Sequence, residues 1–128
     1  MIVVDTSVWI SALRDQRSTE ARHLSELLDS DEVAIAIPIR IEILSGAPRS
    51  EQQRLSRILS ALPTLYPTDP TWRRIEGWLG RIMNSGDRFG VGDLLIAGIG
   101  SENNAAIWSL DSDFTRMAKL KLIDIYRP

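Results

Sequence analysis

Ile2-Val3-Val4-Asp5-Thr6-Ser7-Val8-Trp9-Ile10 is the stretch whose reading decides the fold. Ile2 to Val4 is a short β-branched run without polar alternation, the pattern of a strand buried on both faces of a parallel sheet. Asp5 ends the run, and Trp9, Ile10 and Leu13 then recur at helical spacing, so a helix follows at once. Strand, acid and helix in direct succession open a β-α unit.

The same alternation continues outward. Leu24, Leu27 and Leu28 mark a second amphipathic helix. Val33 to Ile37 reads as a second strand, and Pro38 opens a helix that carries Ile39, Glu42 and Ile43 and ends near Gly46. Leu55, Ile58, Leu59 and Leu62 define a helix stopped by Pro63, with Thr64-Leu65-Tyr66 a short strand beyond it. Asp69-Pro70 starts a long helix with Asp69 at the N-cap. Its buried face is expected to be Trp72, Ile75, Leu79, Ile82 and Met83, which leaves Trp78 on the surface. Gly90-Val91-Gly92 turns into a largely buried helix that opens at Asp93, and Gly98 and Gly100 within it are expected to permit close packing on the sheet. Ala106 to Leu110 is a strand, Ser112 to Ala118 a short helix, and Leu122 to Ile125 a last strand. The prediction is an α/β fold: a doubly wound parallel sheet of four to five strands flanked by helices, as a single domain over 1–128.

Composition narrows the chemistry. Hydrophobic residues make up 44% of the chain, enough for a real core. With no cysteine, disulfides and thiolate metal sites are excluded, and the single His23, expected to be peripheral, excludes multi-histidine zinc motifs. The amino terminus has neither a basic leader nor a long apolar run, and no stretch approaches the roughly 20 apolar residues that span a bilayer. A cytoplasmic, non-membrane protein is expected. Net charge is −2, but between Pro38 and Gly90 eight arginines stand against five acids, so the middle of the chain is the candidate face for phosphate.

Ligands of doubly wound sheets bind beyond the carboxyl ends of the strands, and four acids fall there. Asp5 follows the first strand and Asp111 follows the strand ending at Leu110. The helix opening at Asp93 descends about 15 Å and the next strand climbs back, so Asp93 and Asp111 meet at one edge. Glu42 sits one turn into the helix after the second strand. The flanking residues are apolar: Ile-Val-Val before Asp5, Ile41 and Ile43 around Glu42, Leu94-Leu95-Ile96 after Asp93. Two carboxylates about 6 Å apart repel by about 3 kcal/mol at an effective dielectric near 20, so such a group needs protons or a divalent ion. Oxygen-only donors favour Mg²⁺ or Mn²⁺. The site suits phosphodiester hydrolysis by an activated water, which requires no side-chain nucleophile. Each acid alone also reads as an ordinary helix cap or solvated carboxylate; their conjunction is what points to a site. Asp113 rivals Asp111, and spacing does not separate them.

Asp5-Thr6-Ser7 after an apolar strand, Ile41-Glu42-Ile43-Leu44-Ser45-Gly46, Gly92-Asp93-Leu94-Leu95-Ile96-Ala97 and Ser109-Leu110-Asp111-Ser112-Asp113-Phe114 occur in that order. The pattern resembles PIN domains, in particular the VapC-type toxins of toxin–antitoxin systems, from residue 2 to about residue 125. The resemblance implies a metal-dependent endoribonuclease acting on RNA, a homodimer, and a cognate antitoxin protein whose tail occupies the active site. It also implies that Asp5, Glu42, Asp93 and Asp111 are the catalytic, metal-binding quartet. Thr6 or Ser7 takes the hydroxyl position that supports the first aspartate, and Ser109 stands where the family often has Thr. Arg14 and Arg116 each closely follow a motif and are candidates for RNA contact, against the alternative of exposed helix arginines.

Two other functions fit parts of the pattern. A receiver-type Mg²⁺-binding signalling domain has similar length and sheet, but it needs an Asp at the end of its middle strand, and none occurs between Ile43 and Thr68. A catalytically inactive PIN-like binding module needs a missing acid, and all four are present.

Overall fold

The computed structural model describes residues 1–128. β1 (Ile2–Val4) is buried throughout and runs through Asp5 into α1 (Thr6–Arg14). α2 (Thr19–Asp29) is capped by Ser18, whose hydroxyl accepts the Ala21 N–H, and leads to β2 (Val33–Ala36). Ile37, expected at the end of that strand, is already helical, because Pro38 occupies the first turn of α3 (Ile37–Gly46). A single 3₁₀ turn precedes α4 (Gln52–Ser60), and β3 is only Thr64–Leu65. α5 (Asp69–Ser85), α6 (Val91–Glu102), β4 (Ala106–Trp108) and α7 (Ser112–Lys119) complete the chain.

All strand pairs are parallel, in the order β3-β2-β1-β4. The chain winds outward from β1 to β2 and β3, then crosses back to lay β4 on the other side of β1. Helices cover the sheet and close a core of 28 buried residues. Register is fixed across the crossing: Ile2, Val3 and Val4 pair with Ala106, Ile107 and Trp108. The expected strand over Leu122–Ile125 reduces to one parallel bridge between Ile125 and Ile107. Its first residue is still bound to the preceding helix, since the Leu122 N–H donates to the Met117 carbonyl, and Leu122 and Ile123 are buried. β4 stops at Trp108, before the expected Leu110, because the Leu110 N–H turns to the Ser7 hydroxyl and the Asp111 N–H to the Ser109 hydroxyl.

The face of α5 differs from the expected one. Thr71, Ile75, Trp78 and Ile82 are buried, whereas Trp72, Leu79 and Met83 are exposed at 42%, 41% and 76%. Two apolar stripes compete on this helix, and Gly98 decides between them. A Cβ there would lie 2.9 Å from Ile75 Cδ1 and 3.2 Å from Thr71 Cγ2. Gly98 thus lets α6 approach α5, not the sheet; Gly100 is the glycine that packs on the sheet, against Ile107 of β4. The N-cap of α5 is Thr68, not Asp69, in a reciprocal capping box with Thr71. His23 is not peripheral: its Nε2 lies 2.6 Å from the Tyr126 hydroxyl, and its ring meets Trp108 edge to face.

Replacing Trp78 by Ala is expected to cost about 3–5 kcal/mol, and Trp72→Ala less than about 1 kcal/mol. Urea unfolding of the two variants checks the assignment; equal losses contradict it.

Candidate active site

The crossing between β1 and β4 is a topological switch point, where the flanking connections part and leave a crevice at the carboxyl ends of the strands. Asp5 stands in it. Its N–H donates to the Trp108 carbonyl at 2.8 Å, which extends the β1–β4 ladder by one bond and sets Asp5 beside Ser109. The side chain is only 6% exposed. Ser7 Oγ and Ser109 Oγ each donate to Asp5 Oδ2 at 2.8 Å. Those hydroxyls are in turn held by backbone N–H donors: Leu110 to Ser7 at 3.0 Å and Asp111 to Ser109 at 2.9 Å. Both side-chain bonds fall on Oδ2, so Oδ1 stays uncommitted.

α6 and α7 start at the same edge. Asp93 lies in the first turn of α6, and Asp111 is the N-cap of α7, its Oδ1 accepting the Asp113 N–H at 2.9 Å. One carboxylate oxygen from each of Asp93, Asp111 and Asp113 lies within 4.8 Å of the others. Asp111 and Asp113 therefore both reach the cluster, and their two-residue spacing at a helix start explains why spacing alone left them unresolved. Of the four predicted acids, Asp5 and Glu42 both lie outside this trio; Asp5 is buried at the head of α1 and Glu42 is exposed on α3. Arg14 lies at the end of α1 on the wall of a groove of about 400 Å³ with Ile10, Leu13, Ile43 and Leu55, whose lining includes none of Asp5, Glu42, Asp93, Asp111 and Asp113. Arg116 is already paired, to Asp87 and Asp113. Periodicity offered no signal for Asp87, which lies in a loop.

The family model for the PIN domain matches residues 2–120. This chain belongs to the PIN domain family. The VapC ribonuclease Mb1587 of Mycobacterium bovis is 32% identical over 125 residues, covering 94% of this chain and 93% of that protein. Among solved structures, VapBC2 from Rickettsia felis bound to a promoter DNA fragment superposes with a TM-score of 0.78 at 19% identity, covering 98% of both chains. VapBC-1 from nontypeable Haemophilus influenzae gives 0.77 at 21% identity, covering 98% of this chain and 97% of that one.

The electrostatics of this PIN domain are compatible with a bound cation. Burial pushes the Asp93 carboxyl up from the ordinary 3.8 to about 6, and the neighbouring charges of Asp111, Asp5 and Asp113 add to the rise. Glu42 is also raised, first by partial desolvation and then by Asp5, with the Thr6 hydroxyl pulling the other way. That hydroxyl is buried and makes no fully formed hydrogen bond. An all-oxygen donor set whose negative charges add to the rise at Asp93 fits a hard divalent ion.

The linkage has a definite sign. Asp93 holds its proton more tightly folded than unfolded, so its contribution to stability is complete below about pH 4 and is lost as pH rises through about 6. In EDTA, the melting temperature is expected to fall across that window through Asp93, and Asp93→Asn to flatten the fall. Parallel melting curves for wild type and variant from pH 4 to 7 would refute this.

Proposed function

We infer that this PIN domain is an endoribonuclease, the toxin of a toxin–antitoxin pair, and that it hydrolyses RNA phosphodiesters with Mg²⁺ or Mn²⁺. The observation that carries the reading is the cluster of Asp93, Asp111 and Asp113 at the β1–β4 edge, close enough to Asp5 for its charge to act on Asp93, with no cysteine in the chain and its one histidine engaged by Tyr126. The ribonuclease relatives and the VapBC likeness support it.

Asp93 and Asp111, with Oδ1 of Asp5, would hold the ion. When bound, it eases deprotonation of water and offsets charge on the phosphate in the transition state. Ser7 and Ser109 fix the rotamer of Asp5, so its free oxygen needs no reorganisation at the moment of reaction. Glu42, its proton affinity raised by partial desolvation and then by the charge of Asp5, would take the proton from the attacking water. The water oxygen then bonds to phosphorus, the bridging P–O bond breaks, and the departing oxygen takes up a proton. Thr6 tunes Glu42, while Ser7 takes the supporting role toward Asp5.

The same reading includes a cognate antitoxin protein as partner, a homodimer and a cytoplasmic location. The VapBC likeness favours the antitoxin, and no helix is long and apolar enough to cross a membrane.

Asp5→Asn and Asp93→Asn are expected to lower kcat for RNA cleavage by at least about 100-fold, with circular dichroism unchanged. EDTA is expected to abolish wild-type cleavage, and Mg²⁺ or Mn²⁺ to restore it. Wild-type rates in either variant, or cleavage that persists in EDTA, would contradict the assignment.

A further inference from the structure

Arg116 links the two helix starts that supply the site's acids. Its Nη1 donates to Asp87 Oδ1 at 3.2 Å and its Nη2 to Asp113 Oδ1, while its guanidinium carbon lies 5.3 Å from the centre of the Phe89 ring. Asp87 is held from the other side by the Ser85 hydroxyl at 2.9 Å, just past the left-handed Gly86 that ends α5. Phe89 packs on the core, and the next residue, Gly90, is the N-cap of the helix that carries Asp93. One guanidinium therefore ties the loop that launches α6 to the first turn of α7. It is also the only basic side chain ion-paired with any acid of this edge. Two carboxylates and an aromatic face occupy it, which leaves little for a phosphate.

We propose that Arg116 is a positioning residue of the site: it bolts the Asp87–Phe89 loop to α7, sets the separation of Asp93 from Asp111, and holds Asp113 as its counter-charge instead of as a ligand. Asp113 is then the acid withheld, and Asp111 the one presented. The proposal rests on the metal-nuclease reading of the same edge. Removing the guanidinium frees Asp113 to compete for the ion and deletes a nearby positive charge. Binding then tightens in an unproductive arrangement while turnover falls.

The test is Mn²⁺ affinity by calorimetry together with RNA cleavage kinetics, on wild type, Arg116→Gln and Arg116→Lys. Arg116→Gln is expected to bind Mn²⁺ roughly three- to tenfold more tightly and to lose about tenfold in kcat, with KM for RNA within about twofold. Arg116→Lys keeps the charge but cannot bridge both carboxylates; near wild-type affinity with intermediate kcat is expected. If the Gln variant does not fold, the Lys variant decides, and a wild-type kcat there overturns the proposal. A rise in KM alone identifies Arg116 as a phosphate contact and overturns it. A Gln variant that binds Mn²⁺ like a metal-binding wild type overturns the proposal alone. A wild type that binds no Mn²⁺ overturns the underlying site reading and the proposal with it.

Discussion

The parallel pairing of β1 with β4 is the constraint on which the site depends. Three residues of each strand are in register, and the ladder's last bond, from the Asp5 N–H to the Trp108 carbonyl, places an acid and a serine side by side where the strand order reverses. A one-residue slip would turn Asp5 to the other face of the sheet and bury it against apolar side chains. In the observed register its carboxylate meets two hydroxyls that are themselves held by backbone donors. The geometry of the acid is therefore paid for by main-chain hydrogen bonds, not by flexible side chains.

The rest of the edge is electrostatically expensive. Helix starts favour negative charge, which makes the first turns of α6 and α7 good places for Asp93, Asp111 and Asp113. Burial first, and then their proximity, nonetheless raises the proton affinity of Asp93 well above that of an ordinary aspartate. One arginine offsets part of this charge through Asp113 and Asp87. What remains is an oxygen-rich pocket whose stability without a cation depends on protons.

Much of this was legible in the chain. The β-branched run before Asp5, the proline at the head of α3 and the apolar run after Asp93 each have one local interpretation, and together they placed the acids at the carboxyl edge. What escaped the sequence depends on partners distant in the chain. The face of α5 is chosen by Gly98 on another helix, so periodicity put Trp72, Leu79 and Met83 with Ile75 and Ile82 and left out Trp78, which is in fact buried. His23 gains its surroundings from Trp108 and Tyr126. Asp87 owes its place to Arg116, a contact between a loop and a helix that no periodicity announces. Between Asp111 and Asp113, the difference lies in what each is bonded to, one to a backbone N–H and the other to a guanidinium.

The central claim is that these carboxylates share one hard dication. Anomalous diffraction from crystals of the wild-type protein grown with Mn²⁺ tests it most directly. The account predicts a manganese peak in contact with carboxylate oxygens of Asp93, Asp111 and Asp5. Manganese bound elsewhere, with that pocket holding only water while the acids keep their present positions, would contradict it.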